Sequence, residues 1–390
     1  MTDIKKYDVI IIGGGPAGAT CALRLRHSSL QVLLIDKATF PRQKICGDAV
    51  GGRSIKTLFA LCPEVIDNFR QFPAKTRTTK SRVYVNNQKP FDIHWVNEAY
   101  CCTRYDFDNC LINAVRQYAP NVTILENFSI DFVKKTAFSE NNQEQGVRVG
   151  NQAKQVFFDT KMLVGCDGAQ SVVTKHLTST KMNPDDHAGA VRAYFKGVKG
   201  LEADTTEVFY SSAFSPGYLW VFPLSEGVAN VGFGMQTAKI SENRVNLRHS
   251  LSDFIQQTPV LRGRFEGSEQ LGKVEGFGLP LGSRRVPMSG DNFLLAGDAA
   301  SLIDPASGAG ISNAISSGKV AAEIIEKAYK TQNFTADFLK EYETRVFKII
   351  NKELVIGTLL MRISVKMPFL ILIGAFLMNI SVNRFLKRFI

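Results

Sequence analysis

Apolar residues along the chain fall into runs of three kinds. Residues 7–12 (YDVIII) are almost continuously apolar, the pattern of a strand buried on both faces, and 31–36 (QVLLID) repeats it. Between them, 16–25 has helical spacing. The chain therefore opens strand, turn, helix, strand, a βαβ unit with an expected right-handed crossover. Residues 161–166 and 292–296 read as further short buried strands, and 105–118, 242–257 and 310–329 as helices. Segments 81–85 and 91–95 look like short strands, 122–133 and 147–158 alternate as strands do, and 188–234 reads as antiparallel strand rich in aromatics. The stretch 40–53 is rich in Gly and bases. No internal repeat and no low-complexity linker stands out. The pieces that open and close the pattern are separated by β-rich material. This predicts an α/β protein with a discontinuous first domain (1–80, 100–180, 280–330), an inserted, mostly antiparallel substrate sheet (81–99, 181–279) and a helical C-terminal segment (331–390).

Composition narrows the class. With 45% apolar and 21% charged residues over 390 positions, the chain can bury a large core and is not a disordered protein. Seven Cys with no CxxC pair exclude a disulfide framework and a zinc knuckle, and point to a reducing compartment. The net charge of +11 raises the question of nucleic acid, but its distribution answers against it. After Glu353 the chain carries five bases, no acid and an uncharged apolar run at 367–383. Basic plus apolar suits an anionic membrane surface. That run has three readings: a helix packed on the core, a helix lying in the membrane interface, or a marginal span. Residues 1–6 are polar and no secretory leader is read. The expected location is cytoplasmic, peripheral to the inner face of the membrane.

The chemistry sits in the turns. Gly13-Gly14-Gly15-Pro16-Ala17-Gly18 is a GxGxxG between a strand and a helix. Gly13 permits the tight turn, Gly15 lets the backbone approach a pyrophosphate, and Gly18 lets the helix pack on the strand. The helix N-terminus then offers free N–H groups to phosphates. Asp36 ends the second strand, where an acid binds ribose hydroxyls. This turn alone does not separate FAD from NAD. Two later motifs, Gly165-Cys166-Asp167-Gly168 and Gly297-Asp298-Ala299-Ala300 with Pro305 and Gly308-Ala309-Gly310-Ile311, each read singly as a strand-to-loop turn. At the third, Asp298 is placed to accept from ribityl hydroxyls. Gly308 and Gly310 allow a flat ring close to the backbone, and the helix from Ile311 points its positive end there.

Taken in this order, the three motifs resemble the Rossmann-like FAD-binding fold of p-hydroxybenzoate hydroxylase-type flavoproteins over at least residues 1–330. Two more are similar to the geranylgeranyl reductase family: Phe40-Pro41-Arg42-Gln43-Lys44-Ile45-Cys46-Gly47, and Tyr218-Leu219-Trp220-Val221-Phe222-Pro223 followed by Gly227, Asn230-Val231-Gly232 and Gly234. Thr103-Arg104-Tyr105-Asp106 matches that family's arginine before a helix. The resemblance implies FAD as cofactor, with NAD(P)H or a reduced electron carrier as donor, and an isoprenoid or other apolar lipid as substrate. It implies Cys46 as the catalytic residue at the flavin and Arg42, Gly47 and Arg104 at the cofactor. It adds Lys37, Ile130 and Asp167 to that cofactor set, and gives Tyr218, Trp220 and Phe222 to the substrate. Gly47 is followed by Asp48, where many members carry Gly or Glu, a departure that bears on the substrate.

The implied reaction is reduction of C=C bonds in a polyprenyl (geranylgeranyl-type) chain by hydride from reduced FAD. An unactivated alkene has no carbonyl to polarise, so protonation must anticipate a cation, which aromatic faces such as Trp220 and Phe222 stabilise. Read from spacing alone, Cys46 is a small buried hydrophobe. His27, His94, His176, His187 and His249 fall in no constellation, no Ser/His/Asp arrangement is present, and no metal is expected. Rival readings are a flavin monooxygenase or epoxidase on an apolar or aromatic substrate, a membrane dehydrogenase feeding a quinone, and a lipid-escort protein that no longer needs flavin.

Overall fold

A computed structural model describes residues 4–86, 88–138 and 145–366. The uncharged run at 367–383 and the remainder of the C-terminal segment lie outside the described residues.

Two eight-stranded sheets organise the chain. The first runs Ser289–Gly290, Phe293–Leu295, Val156–Gly165, Lys5–Ile12, Val32–Ile35, Val122–Leu125, with Phe132–Ala137 and Gln145–Asn151 attached beside Val156–Gly165. Its centre is parallel: Lys5–Ile12 pairs in parallel with both Val32–Ile35 and Val156–Gly165. Helices cover a parallel sheet on both faces, which is why Val9, Ile10, Ile11 and Val32–Ile35 are continuously apolar and essentially solvent-free. Pro16–Leu25 and Ile311–Thr331 pack together at Gly318, where any side chain would overlap the Ala17 carbonyl.

The second sheet runs Glu269–Pro280, His187–Lys196, Val228–Gln236, Tyr218–Pro223, Thr205–Tyr210, Lys75–Val85, Phe91–Cys102, Ala49–Val50. All its pairs are antiparallel except Thr205–Tyr210 with Lys75–Val85. One face is the apolar core of Val191, Leu219, Val221, Val231 and Phe233, covered by Leu251, Phe254, Leu261 and Phe265 from the helices Leu247–Gln257 and Pro259–Phe265. The α/β class with a discontinuous Rossmann-like part and a mostly antiparallel inserted sheet is as expected.

Details differ. The strands expected at 81–85 and 91–95 extend to Lys75–Val85 and Phe91–Cys102. The segments 122–133 and 147–158 each divide, and the helix expected at 242–257 is broken at Asn246, whose side chain accepts from the Arg248 and His249 N–H groups and restarts it. Gly52–Leu61 and Pro63–Gln71 are helices where the sequence suggested no element. Ala336–Lys366 is one helix. It buries Leu339, Tyr342, Val346, Ile350 and Leu354 on the first core, and the Tyr342 hydroxyl donates to the Leu295 carbonyl at 2.7 Å. No helix among the described residues is long and apolar enough to cross a membrane.

Candidate cofactor and substrate site

The glycine turn is built from backbone contacts. Gly13 has φ +101°, and a methyl group there would overlap the Cys166 carbonyl oxygen at the end of the neighbouring strand. A methyl at Gly18 would overlap the Gly13 oxygen, so the helix that begins at Pro16 sits directly on the turn with Ala17 buried beside it. The Asp36 carboxylate accepts from Gly14 N–H at 2.8 Å and Ala38 N–H at 2.9 Å and is nearly buried.

Around Gly15 the sequence brings two guanidinium groups together from distant segments. Nη2 of Arg104 and Nη2 of Arg42 each lie 3.6 Å from where a Gly15 side chain would begin. Arg104 opens the helix Arg104–Tyr118, capped by Thr103, whose hydroxyl accepts from Asp106 N–H. One helical turn on, Asp108 grips it in a bidentate pair at 2.6 and 2.7 Å. Arg42 reaches the same Asp108 at 3.2 Å and Asp36 at 3.6 Å. Asp108 is fully buried and was not among the expected residues; its i, i+4 spacing from Arg104 was the available signal. This cradle fits a dinucleotide: the glycine leaves the backbone open to an anion, and two fixed cations flank it.

The last glycine motif leaves the first sheet at Phe293–Leu295 and meets the second sheet. Asp298 lies in the turn after Phe293–Leu295, where Gly297 has φ +63°, and its Oδ1 is 3.3 Å from where a Gly310 side chain would begin. Gly308 has φ +69° and faces the Tyr218 hydroxyl, which donates to the Ser307 carbonyl at 2.6 Å. Gly310 precedes the helix Ile311–Thr331 with no side-chain cap, so Ile311 and its successors start that helix with free N–H groups; Pro305 and Ile311 are buried nearby. Lys44, quoted in the Phe40–Gly47 motif but given no role of its own, lies 3.9 Å from Asp298 and 3.7 Å from the centre of the Phe277 ring, and its pKa is pushed down by burial.

Register decides which side chains share this side of the second sheet. Tyr218, Trp220 and Phe222 lie opposite Gly234, Gly232 and Asn230, which lie opposite Ala190, Arg192 and Tyr194. The three aromatics form a row with ring centres 6.1 and 6.3 Å apart. A side chain at Gly232 would overlap the Trp220 indole, so glycine makes room for the ring to lie across its neighbour strand. Trp220 Nε1 donates to Asn230 Oδ1 at 2.9 Å, and a Gly47 side chain would begin 3.4 Å from Phe222 and 3.5 Å from Trp220. Cys46 is half-buried on this seam. Burial pushes its thiol pKa up, against the opposing pull of Arg104, so it stays protonated at neutral pH.

Three more of the expected cofactor residues sit around the glycine turn and the end of Val32–Ile35, with the Asp167 backbone N 2.9 Å from where a Gly13 side chain would begin. Lys37 is exposed beyond the strand end. Ile130 is buried in the first core, two residues after Phe128, whose N–H donates to the Asp36 carbonyl. Asp167 accepts from Val172 N–H at 2.7 Å, while its other oxygen is buried with no partner, and burial raises its pKa.

The family profile described as an FAD binding domain matches residues 6–352. A digeranylgeranylglycerophospholipid reductase of Methanococcus vannielii is 26% identical over 373 residues, covering 92% of this chain and 88% of the relative. Among solved structures, a geranylgeranyl bacteriochlorophyll reductase-like protein of Thermoplasma acidophilum superposes with a TM-score of 0.79 at 24% identity, covering 94% of this chain and 89% of that one. A flavin-dependent brominase superposes with 0.75 at 22% identity, covering 97% and 92%. These relatives bear out the resemblance to the geranylgeranyl reductase family read in the motifs, and the structural likenesses speak for the fold. The glycine turn, the paired guanidinium groups and the profile spanning both sheets agree on FAD as cofactor: the chain belongs to the FAD binding domain family.

Proposed function

We propose that this chain is an FAD-dependent reductase that saturates C=C bonds of a polyprenyl, geranylgeranyl-type lipid. In this reading the first sheet and its turns hold the cofactor, with Gly13, Gly15, Gly18, Asp36, Arg42, Arg104, Asp298 and Gly310 around it. The second sheet presents the substrate wall. When bound and reduced, the flavin supplies the hydride. The observation that carries the reading is the meeting of the Cys46-Gly47 turn with a row of aromatic rings: a Gly47 side chain would begin 3.4 Å from Phe222 and 3.5 Å from Trp220. Cys46 Sγ holds a proton, as alkene saturation needs and as nucleophilic thiolate chemistry does not. Trp220 and Phe222 present π-faces to an incipient cation and exclude water from it. NAD(P)H or a reduced electron carrier is the donor.

A substrate of this kind stays in a bilayer, since each buried methylene contributes about 0.8 kcal/mol. The helix Ala336–Lys366 supports contact with that bilayer. Ile349, Val355, Ile356, Leu359 and Leu360 are 45–58% exposed, opposite the stripe that buries Val346, Ile350 and Leu354. Lys348, Lys352 and Arg362 flank them. Seven free thiols agree with a cytoplasmic, peripheral location.

The test is product mass. The chemically reduced chain is incubated with geranylgeranyl lipids, with and without oxygen. Products heavier by two hydrogens, or multiples of two, regardless of oxygen, are expected. Addition of one oxygen atom, in air only, overturns the reading in favour of a monooxygenase or epoxidase.

A further inference from the structure

Asp48 has no part in the chemistry above, yet it is the most connected carboxylate on the seam. It follows the Cys46-Gly47 turn with φ +63°, a left-handed conformation that Asp adopts more readily than most residues, and its side chain is fully buried. Oδ1 accepts from Arg104 N–H at 3.2 Å, and Oδ2 accepts from the Tyr194 hydroxyl and from Asn230 Nδ2, both at 2.8 Å. Asn230 then donates to the Cys46 carbonyl at 2.8 Å and accepts from Trp220 Nε1. The Asp48 backbone carbonyl accepts from Cys102 N–H at 2.8 Å. One carboxylate thus ties together the Cys46 turn, the start of the Arg104 helix, and two strands of the second sheet.

The chemistry of the partners favours a charged acceptor. A backbone N–H and an amide Nδ2 can only donate, so two of the three bonds need an acceptor. An amide at this position would set a donor against a donor, and protonation, with the proton turned to the Tyr194 hydroxyl, would leave Arg104 N–H and Asn230 Nδ2 on a neutral, weaker acceptor. Charged and titratable neighbours come from every packed element. Arg192 and Tyr194 lie on one strand, with Arg192 stacked 4.2 Å over the Tyr194 ring and paired to the half-exposed Glu275 at 3.0 Å. Arg104 stands at the helix start. Cys101 and Cys102 lie on the strand behind, and Cys46 on the same loop.

We propose that Asp48 is a positioning residue whose ionised carboxylate holds the Cys46 turn and the Trp220 indole in mutual register across the two sheets, and that protonation loosens this hold. What Cys46 and Trp220 are positioned for rests on the reductase reading; the clamp itself does not. Burial raises the Asp48 pKa from 3.8 to about 6, against the lowering pull of Tyr194, Asn230 and Arg192, so the change falls in an accessible range.

The chain has two tryptophans, which suits fluorine NMR of the FAD-loaded full chain labelled with 5-fluorotryptophan; Trp95→Phe assigns the two resonances. The Trp220 resonance is expected to titrate with a midpoint near pH 6 and the Trp95 resonance not to follow it. Asp48→Asn should abolish the titration, and Tyr194→Phe, by removing a donor, should move the midpoint upward. If Asp48→Asn does not fold, Tyr194→Phe alone decides. A Trp220 resonance that is flat in the wild type, or that titrates unchanged in the variants, overturns the proposal. A titrating Trp220 in a protein that leaves geranylgeranyl lipids untouched keeps the clamp and removes the reductase.

Discussion

The two sides of the site are made of different material. The cofactor side is backbone: tight turns at Gly13 and Gly297 and a close helix contact at Gly18, whose missing side chains are filled by neighbouring carbonyls and helices. The wall opposite is side chain, a row of aromatics set by the pairing of four strands and given room by Gly232. A backbone cradle binds what any member of a cofactor class shares. A side-chain wall can be recut by single substitutions without touching the cradle. The two should therefore fail independently, except where a buried ion joins them.

The largest effect should come from a buried ion on the cofactor side. Asp108→Ala strands the buried Arg104 guanidinium and takes one of its two carboxylate partners from Arg42, and breaking a buried pair costs about 3–5 kcal/mol. We expect a fall in unfolding midpoint together with loss of FAD retention; a variant that keeps both would mean the cradle does not depend on it. Next is Asp48, the joint between the sides. Its folded pKa is raised, so ionisation opposes folding, and the penalty is absent below the unfolded pKa and complete above pH 6. Relative to Asp48→Asn, the wild type should gain roughly 2 kcal/mol as pH falls from 7 to 4, read from urea unfolding at each pH. A constant difference would contradict the burial argument.

Two glycine substitutions then separate the sides. Gly18→Val should weaken FAD binding by about 30–100-fold, since forcing a side chain into packed backbone costs about 2–3 kcal/mol. Gly232→Val should leave FAD affinity within about twofold while displacing the indole and lowering lipid turnover by about tenfold or more. Flavin fluorescence titration and product mass give the two readouts, and parallel losses in both variants would erase the distinction. The smallest change in turnover is expected from Leu359→Ser with Leu360→Ser. These should reduce sedimentation with anionic vesicles and leave activity on detergent-dispersed lipid near the wild-type value, because both side chains face solvent.

Legibility followed the same division. The βαβ start, the three glycine motifs and the helix at 311–331 were readable because each is written in a few adjacent residues. The wall was readable only as far as its motif, since the register that sets Trp220 beside Gly232 and Asn230 exists only between strands. Asp108 and Tyr194 were not foreseen. Tyr194 is 146 residues from the Asp48 it bonds, and no local pattern carries such a pairing. Gly52–Leu61 and Pro63–Gln71 were missed for another reason. Glycines at the start of the first and Pro63 at the start of the second interrupt what would otherwise read as one apolar period.

The Tyr342 hydroxyl on the Leu295 carbonyl has one more consequence. It fastens the helix Ala336–Lys366 to the strand that delivers Gly297-Asp298, so the helix with the exposed apolar face is also the support of the cofactor turn. Two equilibria that share a support are linked, and linkage is reciprocal. Whatever factor the proposed bilayer contact adds to FAD retention by steadying that helix, FAD must return to that contact. An enzyme so arranged would be fully charged with cofactor mainly where its lipid is.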